Sequence, residues 1–112
     1  MATVTTLNQQ GQIWAGRINS CAEFDVRGME RMTVQLYQTD GWPSSLVITA
    51  EARIGTAPWS AFNPSVSGYT ALGIQTELTV RGLDRVRLRV STISSSDREI
   101  FVAANGVKGL YE

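Results

Sequence analysis

EFDVRGMERMTVQLYQ (residues 23–38) and ELTVRGLDRVRLRVST (residues 77–92) lie one on the other without a gap, at an offset of 54 residues. Five positions are identical: Glu23/Glu77, Val26/Val80, Arg27/Arg81, Gly28/Gly82 and Arg31/Arg85. Apolar residues meet apolar residues and acids meet acids at most of the others, as in Met29/Leu83 and Glu30/Asp84. The same offset sets LVITAEA (residues 46–52) over IFVAANG (residues 100–106). Each half therefore reads as strand, Arg-Gly-apolar-acid-Arg turn, strand, loop, strand. A sheet this small cannot bury its apolar face alone, so two such units predict similar sheets packed about a pseudo-twofold axis.

Apolar residues alternate with polar ones throughout, the period of a half-buried strand. Met32, Val34 and Leu36 alternate with Thr33, Gln35 and Tyr37. Leu46, Ile48, Ala50, Ala52 and Ile54 alternate with Val47, Thr49, Glu51 and Arg53. Val86, Leu88 and Val90 alternate with Arg85, Arg87 and Arg89, and Ile100, Val102 and Ala104 with Glu99, Phe101 and Ala103. Turn residues separate the runs at Arg27-Gly28-Met29, Asp40-Gly41-Trp42-Pro43, Arg81-Gly82-Leu83 and Asn105-Gly106. Residues 92–98 read as a hairpin loop. No helical period is sustained. The pattern predicts an all-β domain, a jelly-roll-like or Greek-key β-sandwich of about eight short antiparallel strands. Residues 1–12, polar or β-branched and without a charged side chain, are expected to form an extended N-terminal arm, and residues 13–112 a single sandwich domain.

The 112 residues include no histidine, one cysteine (Cys21) and ten basic against ten acidic side chains. Without imidazole there is no His-based relay and no His metal ligand. One cysteine makes neither an internal disulfide nor a cysteine-rich zinc site. The only lysine, Lys108, stands in no Ser-x-x-Lys pattern. An enzyme is not expected, and neither is a cofactor or a bound metal. A net charge of zero argues against nucleic acid as partner. No apolar run approaches the ~20 residues that span a bilayer, and no signal peptide is expected.

Three features are candidates for contact. Arg85, Arg87 and Arg89 project from one side of a strand, about 7 Å apart. Such a row needs acids beside it, with Glu77 and Glu99 as expected neighbours, or it docks an acidic protein surface. Trp42 and Trp59 sit near loop tips, where they stack on sugar rings, anchor a protein interface or cap the core. Thr3, Val4, Thr5 and Leu7 lie in the arm, which is suited to adding a strand to a neighbour's sheet edge. The Arg-Gly-x-acid-Arg turns read as structural, their internal acids neutralising the arginines. Cys21 is expected to be a small buried hydrophobe.

The arm, the loops YQTDGWPSS and STISSSDRE, and the run SGYTALGIQTELTVRGLDRVRLRVST together resemble the small all-β virion proteins of tailed bacteriophages. Head decoration (cement) proteins are the nearest group. The resemblance spans the chain, without a diagnostic motif, and transfers no functional residue. It implies a jelly-roll-like fold, a homotrimer on the outer capsid surface of the virion, and bridging of capsomers through the major capsid protein. Two other functions fit the same features: a carbohydrate- or receptor-binding module, and a phage tail or connector subunit.

Overall fold

A computed structural model describes residues 6–61 and 69–108. Its strands are β1 (Thr6–Trp14), β2 (Cys21–Asp25), β3 (Met29–Tyr37), β4 (Val47–Arg53), β5 (Ser60–Ala61), β6 (Gly73–Thr79), β7 (Arg85–Thr92) and β8 (Glu99–Lys108). They form two antiparallel four-stranded sheets, ordered β1-β8-β3-β6 and β2-β7-β4-β5. First pairs with last, second with seventh, third with sixth and fourth with fifth. This is a long hairpin rolled over on itself, the topology of a jelly roll.

Alternation puts one parity of each strand between the sheets. Met32, Val34 and Leu36 from β3, Ile48 and Ala50 from β4, Val86, Leu88 and Val90 from β7, and Ile100, Val102 and Ala104 from β8 are all buried. Phe24, Ile13 and Leu46 complete the centre of the core. Each fully buried Val, Leu or Ile contributes about 1.5–3 kcal/mol relative to exposure. The sheets approach closely between β1 and β2, where a Cβ placed on Gly11 would lie 2.8 Å from the Ala22 Cβ.

The internal repeat is structural. Asp25 faces Arg85 in the β2–β7 ladder, and Arg31 faces Thr79 in the β3–β6 ladder, each residue displaced by the same offset. Ile48 faces Val90 as Leu36 faces Val102. Gly28 and Gly82 both adopt φ of 81°. Val26 N donates to Asp84 O and Val80 N to Glu30 O, both at 3.0 Å, so the two Arg-Gly turns embrace each other. The offset also carries the start of β1 onto β5. Each repeat therefore supplies four strands, and every hydrogen-bonded strand pair joins one repeat to the other.

The structure corrects several expectations. The boundary expected after residue 12 falls inside β1: residues 6–12 are not a free arm but a strand paired with β8, from Thr6 opposite Val107 to Trp14 opposite Glu99. The physical reason is β8, whose backbone groups on that side require partners along its length. Leu7 thus faces Gly106 within a sheet, while Thr3, Val4 and Thr5 lie outside the described residues. Asn105-Gly106 is no turn, because β8 runs through it between β1 and β3. Residues 92–98 are no hairpin loop but cross from one sheet to the other, since β7 and β8 belong to different sheets. Ile54 is 60% exposed, one residue past the end of β4.

Candidate functional site

The outward parity of the β2-β7-β4-β5 sheet gathers most of the charge singled out in the sequence. Arg87 Nε donates to Glu51 Oε1 at 2.7 Å, and Arg89 reaches both Glu51 oxygens at 3.0 and 3.1 Å. Arg89 Nη1 also donates to Asn19 Oδ1, and Arg85 Nε approaches Glu23 Oε1 at 3.4 Å. The arginine row is therefore compensated by Glu23 of β2 and Glu51 of β4, not by Glu77 and Glu99. Those two lie on β6 and β8, which belong to the opposite sheet, while β7 runs between β2 and β4. Burial pushes the Glu51 carboxyl up, but hydrogen bonds from Arg89 and Arg87 outweigh it and hold the group below its ordinary range. Hydrogen bonding to Glu51 correspondingly raises Arg89.

Trp59 joins this face. The guanidiniums of Arg53 and Arg87 lie over its ring, at 4.7 and 4.5 Å from the centroid, within cation–π range. The Arg53 Nε is buried without a hydrogen-bond partner. Four guanidiniums (Arg53, Arg85, Arg87, Arg89) thus share this face with three carboxylates (Glu23, Glu51 and Asp25, the register partner of Arg85), and Asp25 also holds Arg27, leaving a local positive excess. Cys21 sits half-buried on this same outward face rather than in the core, since residue 22 takes the inward parity of β2. Burial, then the nearby Glu23 carboxylate, raises its thiol pKa.

Trp42 is elsewhere. It packs against the core and donates its indole N–H to Leu46 O at 3.0 Å. The turn acids are also committed. Asp25 holds Arg27 at 2.7 Å, Glu30 approaches Arg81 of the other repeat at 3.5 Å, and Asp84 accepts from Gly55 N. Asp97 accepts from Gly16 N and pairs with Arg17.

No family model matches the chain, and no curated protein matches it. Solved structures do. An SPBc2 prophage-derived protein, YomS, superposes with a TM-score of 0.57 over 95% of this chain and 99% of its own, at 16% identity. A chain of the cyanophage Pam1 capsid asymmetric unit gives 0.54, 15% identity, and coverage of 98% and 86%. A chain from a structure of Bacillus endospore appendages, described as a novel family of disulfide-linked pili, gives 0.51, 13% identity, and coverage of 99% and 92%. The likeness is one of fold.

The opposite sheet carries a feature that sequence reasoning missed. Tyr37 of β3 and Phe101 of β8 are register partners, and their rings stack at 5.5 Å with 26° between planes. They line an open cleft of about 530 Å³ with Gln10, Gly11 and Gln12 of β1. The available signal was parity: each aromatic stands at a polar, outward position of its strand.

Proposed function

We propose that the chain is a non-enzymatic structural subunit of a phage virion, a head decoration protein that binds the outer capsid surface and bridges capsomers. The observation that carries this reading is the Arg-rich face of the β2-β7-β4-β5 sheet, built from cross-braced charges around Trp59. Arginine and tryptophan, held in place before contact, are the residue types on which protein–protein affinity concentrates. The positive excess suits an acidic patch on a capsid protein. The jelly roll shared along nearly its whole length with a prophage protein and a cyanophage capsid chain supports the same reading.

A shell clamp performs no reaction; it needs several contacts at once, and a homotrimer supplies three from one particle. Thr3, Val4, Thr5 and Leu7 are the further proposed subunit contacts. The test is co-sedimentation of the purified chain with phage heads assembled from the major capsid protein of the genome that encodes it, with light scattering to give the oligomeric state. The expected result is a trimer that binds heads, with binding weakened at least about tenfold by Arg53→Glu and by added salt. Deleting residues 2–5 tests the N-terminal contacts without removing β1. A strict monomer that stays in the supernatant overturns the reading.

A further inference from the structure

We propose that the outer face of the β1-β8-β3-β6 sheet binds an uncharged oligosaccharide, stacked on the Tyr37–Phe101 ring pair and hydrogen-bonded by Gln10 and Gln12. This site is independent of the decoration reading and uses neither tryptophan considered in the sequence. Trp42 is committed to the core and Trp59 lies under two guanidiniums.

The ladders place the site residues in rows across three strands. Gln12, Phe101 and Tyr37 form one row, and Gln10, Ala103 and Gln35 form the next. Large residue, small residue: the aromatic row stands above a floor of alanine and amide. The two rings stack on each other, with centroids 5.5 Å apart and 26° between planes, so the pair offers a ligand the ring surface that the stack leaves open, with Tyr37 still 39% exposed. A pyranose offers the complement, a face of C–H groups bordered by hydroxyls. The ring surface left open by the stack takes the C–H groups, while each glutamine amide donates and accepts, as a hydroxyl does. The cleft, at about 530 Å³, has room for more than one sugar ring.

Charge decides the class of sugar. None of the cleft-lining residues is ionisable below the tyrosine range: they are two glutamines, a glycine and two aromatics. A uronate or sulfated sugar would find no cation here. Nor is a flat apolar protein surface the better occupant, because it would cover the amides of Gln10 and Gln12 without pairing them, and an unpaired buried amide is costly.

The experiment is amide NMR on the isotopically labelled full chain, titrated separately with maltohexaose, cellohexaose, chitohexaose and mannohexaose, with an oligogalacturonate as charged control. At least one neutral probe is expected to shift resonances of residues 10–12, 35–37 and 101–103 at up to millimolar concentration, and the galacturonate to leave them unmoved. Tyr37→Ala and Phe101→Ala should each weaken that binding about tenfold. Gln12→Ala, an exposed change, should weaken it less, and the amide spectra report whether each variant is folded. Arg53→Glu should leave sugar binding unchanged, which separates this site from head binding. Absence of shifts with all four neutral probes overturns the proposal. So does a sugar response confined to another face, or a Tyr37→Ala variant that dissociates an oligomer while no sugar binds, which makes the face a subunit contact.

Discussion

Glu51 Oε1 accepts a hydrogen bond from Arg87 Nε at 2.7 Å across the β4–β7 ladder, where the two residues are direct register partners. The same carboxylate holds Arg89, and its side chain is only 13% exposed. Glu51 is thus the hub that keeps two like charges of one strand together. Glu51→Gln keeps the shape and removes the charge. It should lower unfolding stability by about 1.5–3 kcal/mol, the range for hydrogen bonds to charged groups, read from urea unfolding at neutral pH.

Acid should expose a second ion pair. Hydrogen bonds from the Arg27 side chain and backbone N–H hold the Asp25 carboxyl down at about 2, from an ordinary 3.8. A carboxylate with a lowered folded pKa stabilises above its unfolded pKa, and that contribution is lost as pH falls through the folded one. The loss attributable to Asp25 therefore falls between about pH 4 and pH 2. Arg27→Ala should lower the urea midpoint slightly at neutral pH and not at pH 2, which flattens its dependence on pH in that window; the neutral loss is small because the pair is exposed.

Tyr69 offers the opposite sign. Its hydroxyl is buried with no hydrogen-bond partner, and burial pushes its pKa from 10.0 to about 12. A raised folded pKa stabilises below the unfolded value, so stability should decline as pH rises from 10 through 12. Tyr69→Phe removes both the unpaired hydroxyl and the titration. It should raise stability by about 1 kcal/mol at neutral pH and abolish the tyrosine part of the alkaline decline, measured by unfolding midpoints across that range.

The repeat makes a prediction of equality. Gly28 and Gly82 share a φ of 81°, and a Cβ on either meets nothing within 4 Å. Gly28→Ala and Gly82→Ala should therefore cost the same backbone strain, about 1–2 kcal/mol each, and, because the two turns bond to each other, the double variant is expected to depart from their sum. Thermal unfolding of the three proteins checks it. Unequal costs would show that the two turns are alike in sequence but not in energy.

Much of this fold is legible in the sequence, because a half-buried strand writes its inward residues at every second position. The buried members of β3, β4, β7 and β8 are those the alternation marks. The repeat is legible too, since the turns that impose φ > 0 keep their glycines. Partnership between strands is not. Which acids face Arg85, Arg87 and Arg89 depends on β7 lying between β2 and β4, a choice made by the packing of whole sheets. Likewise the bond between residues 6–12 and β8 is backbone to backbone and leaves no side-chain mark. The Tyr37–Phe101 platform fails for a related reason: each ring alone is one outward aromatic, and only the β3–β8 register makes them a surface.

The interleaving of the repeats has a consequence in time. Every ladder takes one strand from the first half of the chain and one from the second. During synthesis the first four strand segments therefore emerge with no native partner among themselves, however strong their alternation. β3 waits for β6 and β8, and β4 for β5 and β7. No ladder can begin before β5 emerges, so the sandwich closes late, as the second half of the chain arrives.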